Sequence, residues 1–412
     1  MKPKVLIILP WLPFPLNTGG NQATFNCINA LRNDIDFVIF NIHGTIEQKR
    51  ELGKRWPEIK IYSWEKVIKK EKYTLVNKLL KKIRHYFLKN NVSFIRERVL
   101  SITEPEMEDG SIEQINQIIK DENIKIVQCE FMQTLNFVYT LPSDIKKIFI
   151  HHELGYVASN LYLNTQGLTG NLYYNYLYRK RKAAEIAALN MFDKIVTVSS
   201  IDAAKLKEEH IHSEIVPSFC IVEQKFKYEA VKYYKQVLSF VGPENHPPNK
   251  IGITWFLNKV WPLILRDCPE MKIQIIGNWS LGTRKMYETK YQNLTFTGFV
   301  NNLQQVLKNT LMIVPITIGS GIRMKILEAA NMGIPIITTT VGVEGIPLRD
   351  KIECLIADTT EDFANCIKFL NDIEKQKEIT TAAHHRIKEY YSAENLRKSR
   401  LPIYLDLVKD EK

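Results

Sequence analysis

At 412 residues the chain is longer than the ~250–300 at which a single hydrophobic core usually stops growing, so two domains are expected. Its 45% apolar and 25% charged residues are those of an ordinary soluble protein, and no segment approaches the ~18 consecutive apolar residues of a membrane span. A formal charge of +11 favours anionic partners without choosing among them.

Lys2 and Lys4 before Val5-Leu6-Ile7-Ile8-Leu9 imitate the start of a signal peptide. The apolar run stops at Pro10, with Pro13 and Pro15 behind it, so a first strand is expected and export is not. Further short β-branched runs follow at Phe37 to Ile42, Ile59 to Tyr62, Lys125 to Cys129, Ile148 to His151 and Ile195 to Ser199. Amphipathic stretches separate most of them, and strand alternating with helix predicts parallel sheets, because parallel neighbours cannot be joined by a tight hairpin.

Two basic segments lie in this half. From Lys66 to Lys89, lysines alternate with Leu75, Leu79, Leu80, Ile83, Tyr86 and Phe87 at helical spacing. That pattern suits a helix lying on an anionic membrane surface and equally a solvated face over an apolar stripe. Arg179-Lys180-Arg181-Lys182 follows the aromatic run Tyr173, Tyr174, Tyr176 and Tyr178, but no nucleic-acid module accompanies it, so nucleic acid is not an expected partner. Cys27, Cys129, Cys220, Cys268, Cys354 and Cys366 are scattered without a C-x-x-C pair, against a disulfide framework or a zinc site. A reducing, cytoplasmic setting is expected.

After Ile215-Val216-Pro217 a polar, lysine-rich interval runs from about Val222 to Lys235, and the pattern then restarts. Strands are expected at Val237 to Val241, Met271 to Ile276, Leu294 to Phe299, Leu311 to Ile316, Ile334 to Thr338 and Cys354 to Ala357. The domains are therefore set at 1–220 and 236–392. Residues 393–412 form a terminal helix that either caps the second domain or crosses back to the first. In open α/β sheets ligands bind outside the carboxyl ends of the strands, so two such domains facing each other would form a cleft.

The densest signal runs from Pro315 to Pro335 and reads strand, glycine loop, helix, stop. Gly333 suits the left-handed position past a helix C-terminus and Pro335 follows it, which predicts a helix over about Ile322 to Met332. Gly319, Ser320 and Gly321 at its start let an anion approach free backbone N–H groups, and Arg323 and Lys325 add positive charge there. Glu328 lies ~10 Å along the axis from Gly321, a distance suited to hydroxyls beyond a diphosphate. The blander account is an ordinary glycine-opened helix with a Lys325–Glu328 surface pair.

This run, with Thr338 and Val341 to Ile346 behind it, resembles the donor-binding segment of family-four retaining glycosyltransferases of the GT-B fold, in the subset with Gly-Ser-Gly-x-Arg-x-Lys. Gly242 in Phe240 to Pro243, with Pro247-Pro248-Asn249, resembles the opening strand and loop of that family's second domain. Gly298 and Phe299, in Thr297 to Val300, resemble its loop beside the nucleotide base. In the first half, Gly19-Gly20 resembles its glycine loop, and His151-His152-Glu153 its active-site His followed by an acid. Two departures stand out. Many members carry a Glu where Ser320 stands, contacting the transferred sugar, and the usual Arg after the second domain's first strand is replaced by Glu244-Asn245-His246.

The resemblance implies two Rossmann-like domains and a metal-independent, cofactor-free hexosyltransferase that retains anomeric configuration. A nucleotide diphosphate sugar would be the donor, and a glycan or lipid-linked molecule of cell-surface polysaccharide synthesis the acceptor. It implies that Glu328 binds the ribose, that Arg323 and Lys325 meet charge developing on the diphosphate, and that His152, or His151 as the alternate, touches sugar or acceptor. A nucleotide-sugar epimerase of the same architecture and a catalytically silent nucleotide-sugar-binding subunit are the competing expectations. With the Lys66 to Lys89 stretch, an inner membrane face is a further expected partner.

Overall fold

The computed structural model describes residues 2–16, 18–64, 109–216, 227–319 and 321–409. Ser320, Cys220 and the Lys66 to Lys89 stretch lie outside the described residues. The chain divides into two compact units, Met1–Ser218 with Arg397–Lys412, and Phe219–Leu396.

The first unit is built on seven parallel strands: β1 (Lys4–Trp11), β2 (Asp36–His43), β3 (Lys60–Ser63), β4 (Ile126–Glu130), β5 (Lys146–His151), β6 (Lys194–Thr197) and β7 (Glu214–Ile215). They are arranged in the order β3-β2-β1-β4-β5-β6-β7. Helices α1 (Gly19–Leu31), α2 (Ile46–Arg55), α3 (Asp109–Asp121), α4 (Gly155–Thr165), α5 (Leu172–Leu189) and α6 (Ser200–Glu208) accompany them. Strands covered on both faces read as continuous apolar runs, and Val5 to Pro10 of β1 are buried without interruption. On β4 the alternation of side chains sends Val127 and Cys129 into the main core with Leu6, Ile8 and Phe149. Gln128 and Glu130, equally buried, share the opposite face.

The second unit repeats the plan with β8 (Val237–Val241), β9 (Lys272–Ile276), β10 (Leu294–Gly298), β11 (Leu311–Val314), β12 (Ile336–Thr338) and β13 (Leu355–Ile356). These too are parallel, in the order β10-β9-β8-β11-β12-β13. Its helices are α7 (Pro247–Trp255), α8 (Trp261–Asp267), α9 (Leu281–Lys290), α10 (Leu303–Leu307), α11 (Met324–Met332), α12 (Thr340–Val343), α13 (Thr360–Phe369) and α14 (Ile373–Tyr390). A π-helical segment, Phe256–Val260, joins α7 to α8.

The last helix, α15 (Ala393–Lys409), starts in the second unit and from Arg397 onward belongs to the first. Arg397 fixes it there with a bidentate pair, Nε and Nη2 each 2.6 Å from an oxygen of Asp34.

Two expectations need correcting. The helix expected over about Ile322 to Met332 begins at Met324, with Arg323 as its N-cap at φ −85° and ψ 87°, outside the helical region, and the Arg323 guanidinium donates to the Gly321 carbonyl. Gly19-Gly20 is no loop: both open α1, capped by Thr18, whose Oγ1 accepts from the Asn21 amide at 3.2 Å. Gly333 does take the left-handed C-cap, at φ 77°.

Candidate functional site

In each sheet the strand order reverses beside the first strand, between β1 and β4 in one unit and between β8 and β11 in the other. Crevices for ligands open at such switch points, at the carboxyl ends of the strands. Of the described residues singled out by sequence, His151, Gly242 and Gly298 end or directly follow strands β5, β8 and β10.

In the first unit the two adjacent histidines separate. The His151 side chain is 1% exposed and its Nε2 lies 3.2 Å from Glu185 Oε1. Glu185 also accepts from the Gly155 and Tyr156 amides, at 3.0 and 2.7 Å, and so closes the open end of α4. His151 is thereby enclosed and held against the start of α4. His152, 13% exposed, lies 3.1 Å through Nε2 from Glu130 Oε2. Its ring stacks on Phe131, with centroids 4.1 Å apart and planes inclined by 10°. Phe131 has φ +68°, a rare value for a bulky residue that turns the chain sharply after β4. A Cβ on Gly20 would meet the Phe131 ring at 3.0 Å. Gly20, Phe131 and His152 are thus contiguous, with Gly19 one residue before.

In the second unit Lys325, on the first turn of α11, donates from Nζ to Asn249 Oδ1 at 2.7 Å and stands 4.6 Å above the centre of the Phe240 ring. Asn249 is buried, and its amide nitrogen holds the Pro243 carbonyl at 3.1 Å. Burial, and then the nearby Arg323 charge, push the Lys325 ammonium down to about 7 against the pull of Glu328. His246, the N-cap of α7, keeps part of its surface in solvent, but desolvation on its protein-facing side and the Lys325 and Arg323 charges hold it down to about 4. Gly319 and Gly321 have φ of +131° and +78°, which only glycine adopts freely, and Arg323 Nη2 would meet a Cβ on Gly319 at 3.1 Å. Glu328 sits one turn beyond Lys325, partly buried.

Lys250 does not join this cluster. Its ammonium pairs with Glu244 at 2.8 Å. Glu244 also accepts from the Ser280 amide and the Thr283 hydroxyl at the head of α9, at 2.7 and 2.6 Å. Despite its partial burial, these bonds hold its carboxyl down to about 2. Glu244, in the stretch where the resembled family usually has an Arg, is thus taken up by Ser280, the N-cap of α9, and by its first turn.

Beside it three glycines meet. A Cβ on Gly277, at φ +132°, would lie 2.7 Å from the Gly242 carbonyl, and the Gly277 amide donates to the Gly298 carbonyl at 2.8 Å. Phe299, just past β10, is 66% exposed.

Sequence reasoning did not single out Glu130, Phe131 or Gly277, nor Phe240 and Asn249 as the seat of Lys325. A charged residue ending the apolar run at Glu130 was a usable signal, as was the glycine ending β9. The pairing of Lys325 with Asn249 had none, being a contact between distant segments.

Residues 235–372 match the family model described as Glycosyl transferases group 1. Over 407 residues, covering 95% of this chain and 97% of the relative, the sequence is 23% identical to an uncharacterized 44.6 kDa protein in the cps region of Klebsiella pneumoniae. Among solved structures, TarM of S. aureus superposes with a TM-score of 0.69 at 11% identity, covering 98% of this chain and 99% of that one. Anabaena HepE in complex with UDP superposes with a TM-score of 0.65 at 10% identity, covering 98% and 100%. The fold is GT-B. With the family match in the second unit, it supports a glycosyltransferase.

Proposed function

We propose that the protein is a retaining, metal-independent hexosyltransferase that uses a nucleotide diphosphate sugar. The acceptor is a glycan or lipid-linked molecule of cell-surface polysaccharide synthesis. The observation that carries the reading is the seat of Lys325: an ammonium held on Phe240 and Asn249, beside Arg323, at the glycine-flanked N-terminus of α11. An anion there would relieve the mutual repulsion of the two cations and meet free backbone N–H groups. The HepE complex with UDP and the cps region of the Klebsiella relative support the donor class and the pathway.

In the reaction the bond from the anomeric carbon to the diphosphate oxygen breaks, and the acceptor hydroxyl oxygen bonds to the same carbon on the same face. The acceptor proton passes to the departing diphosphate. Negative charge grows on that group, so Arg323 and Lys325 stabilise the transition state more than the bound donor. Glu328 is assigned to the ribose, Phe299 to the base, and His152 to the sugar or acceptor.

The test is a panel of labelled nucleotide sugars, uridine diphosphate sugars first, with a lipid-linked acceptor mixture and EDTA present. Transfer with the anomeric configuration kept supports the proposal. Epimerised donor, binding without turnover, or a rate restored only by a divalent ion each overturns a stated part of it.

A further inference from the structure

Glu130 ends β4 almost without solvent contact, yet its carboxylate has three donors. Oε2 accepts from the Thr24 hydroxyl at 2.8 Å and lies 3.1 Å from His152 Nε2, while Oε1 accepts from the Gln128 amide at 2.6 Å. The other end of the Gln128 amide accepts from the Tyr404 hydroxyl of α15, to which Arg400 Nε donates at 3.2 Å. Among the described residues Arg400 Nη1 and Nη2 are buried without a hydrogen-bond partner. The guanidinium thus contributes charge more than bonds to the Glu130 environment. Burial alone would raise the Glu130 carboxyl; the bond and charge of His152, the charge of Arg400 and the Thr24 bond outweigh it and hold it below its ordinary range.

An ionised carboxylate only accepts hydrogen bonds, so His152 must donate from Nε2, and in the neutral ring the lone pair then resides on Nδ1. Phe131, stacked on the ring, opposes rotation to any other arrangement. The Gln128 amide is fixed in the same way: a Tyr404 hydroxyl that accepts from Arg400 donates to Gln128 Oε1, which leaves Gln128 Nε2 for Glu130.

We propose that Glu130 is the positioning residue of His152, held in turn by Gln128 and by Tyr404 and Arg400 of the last helix, so that the ring offers Nδ1 as an acceptor to the sugar or attacking hydroxyl. This rests on the glycosyltransferase reading for what His152 touches, but not for how the ring is held. The relay joins α1, β4 and α15 to a histidine at the end of β5.

The experiment is nitrogen NMR of the full-length protein labelled at histidine, with His152 assigned through His152→Asn. At neutral pH the parent should show His152 as the Nε2–H tautomer. Glu130→Gln removes the charge and brings an amide that can itself donate, so Nδ1–H should become populated. Besides Glu130, the titratable groups packed around the relay among the described residues include Cys27 of α1, Cys129 of β4 and Arg400 and Tyr404 of α15. Burial pushes the Cys27 thiol up to about 11 and raises the Cys129 thiol further.

In turnover, Glu130→Gln should lower kcat at least about tenfold with donor KM within about twofold. Tyr404→Phe, which keeps the packing, should give a smaller change of the same kind. An Nδ1–H tautomer in the parent protein overturns the proposal without any variant. So does an unchanged His152 tautomer in folded Glu130→Gln. Absence of transferase activity with the expected tautomer would instead count against the proposed reaction alone.

Discussion

Lys325 is where the chemistry of the second unit can be measured most directly. With its ammonium pushed down to about 7 by burial and by Arg323, a good part of the population is neutral in the free protein near neutral pH. A diphosphate favours the charged form. Donor binding at pH 8 should therefore take up a proton, and calorimetric heats should vary with the ionisation enthalpy of the buffer; heats independent of buffer would rule this out. The stability linkage has the corresponding sign. Between about pH 7 and 10.5 the unfolded chain binds more protons at this site than the folded one, so the destabilisation from Lys325, full below pH 7, fades as pH rises through that window. Glu328→Gln should weaken nucleotide binding about ten- to a hundredfold, the equivalent of ~1.5–3 kcal/mol for a charged hydrogen bond, with an unchanged melting temperature. Equal affinity in a titration of the folded variant would remove Glu328 from the site.

At the scale of elements, the strands are legible in the sequence and the helix starts less so. Runs such as Val5 to Pro10 are apolar because a parallel sheet is covered on both faces, and that alone locates β1 and its neighbours to within a residue or two. β7, two residues long, is too short to carry a period of its own. The start of α11 escapes sequence reasoning because it depends on the backbone of one residue: Arg323 takes a non-helical φ and ψ, and the helix begins at Met324 rather than at about Ile322. Alternation along a strand also indicates that His151 and His152 differ, but the choice between them requires Glu185 and Glu130, which come from elsewhere in the chain.

One helix contact links packing to the site. A Cβ on Gly252 of α7 would fall 2.2 Å from the Pro315 carbonyl, just past β11. Gly252→Ala should destabilise the unit by about 1–3 kcal/mol through overpacking. By moving α7 it should also shift Asn249, one turn earlier, off Lys325 and weaken nucleotide binding. Urea unfolding and titration on one preparation check both; a variant with parental stability and affinity would mean that α7 and the Pro315 loop yield without effect.

At the scale of the whole molecule, the second unit is inserted between two parts of the first, since Arg397–Lys412 pack with Met1–Ser218. Ending the chain at Leu396 should therefore damage the unit that lies farther away in sequence. Hydrogen exchange of the truncated protein should show lost protection in α1 and β4, where Arg400 and Tyr404 face Gln128 and Glu130, and retained protection across β8 to β12. Uniform loss in both units would show that the insertion does not fold independently.

That interrupted order of assembly has a consequence in time. A ribosome adding roughly 5–20 residues per second needs on the order of ten to forty seconds to pass from the end of the first segment to Arg397. Throughout that interval the nascent first unit has Thr24, Gln128, Glu130 and His152 but not the guanidinium that balances the buried carboxylate. Without that charge the carboxylate is compensated by the Thr24, Gln128 and His152 donors alone, so burying Glu130 costs the emerging unit more while the insertion is made. Its closure waits for α15, and a chain arrested before that helix would present an incompletely closed strand end to chaperones and proteases.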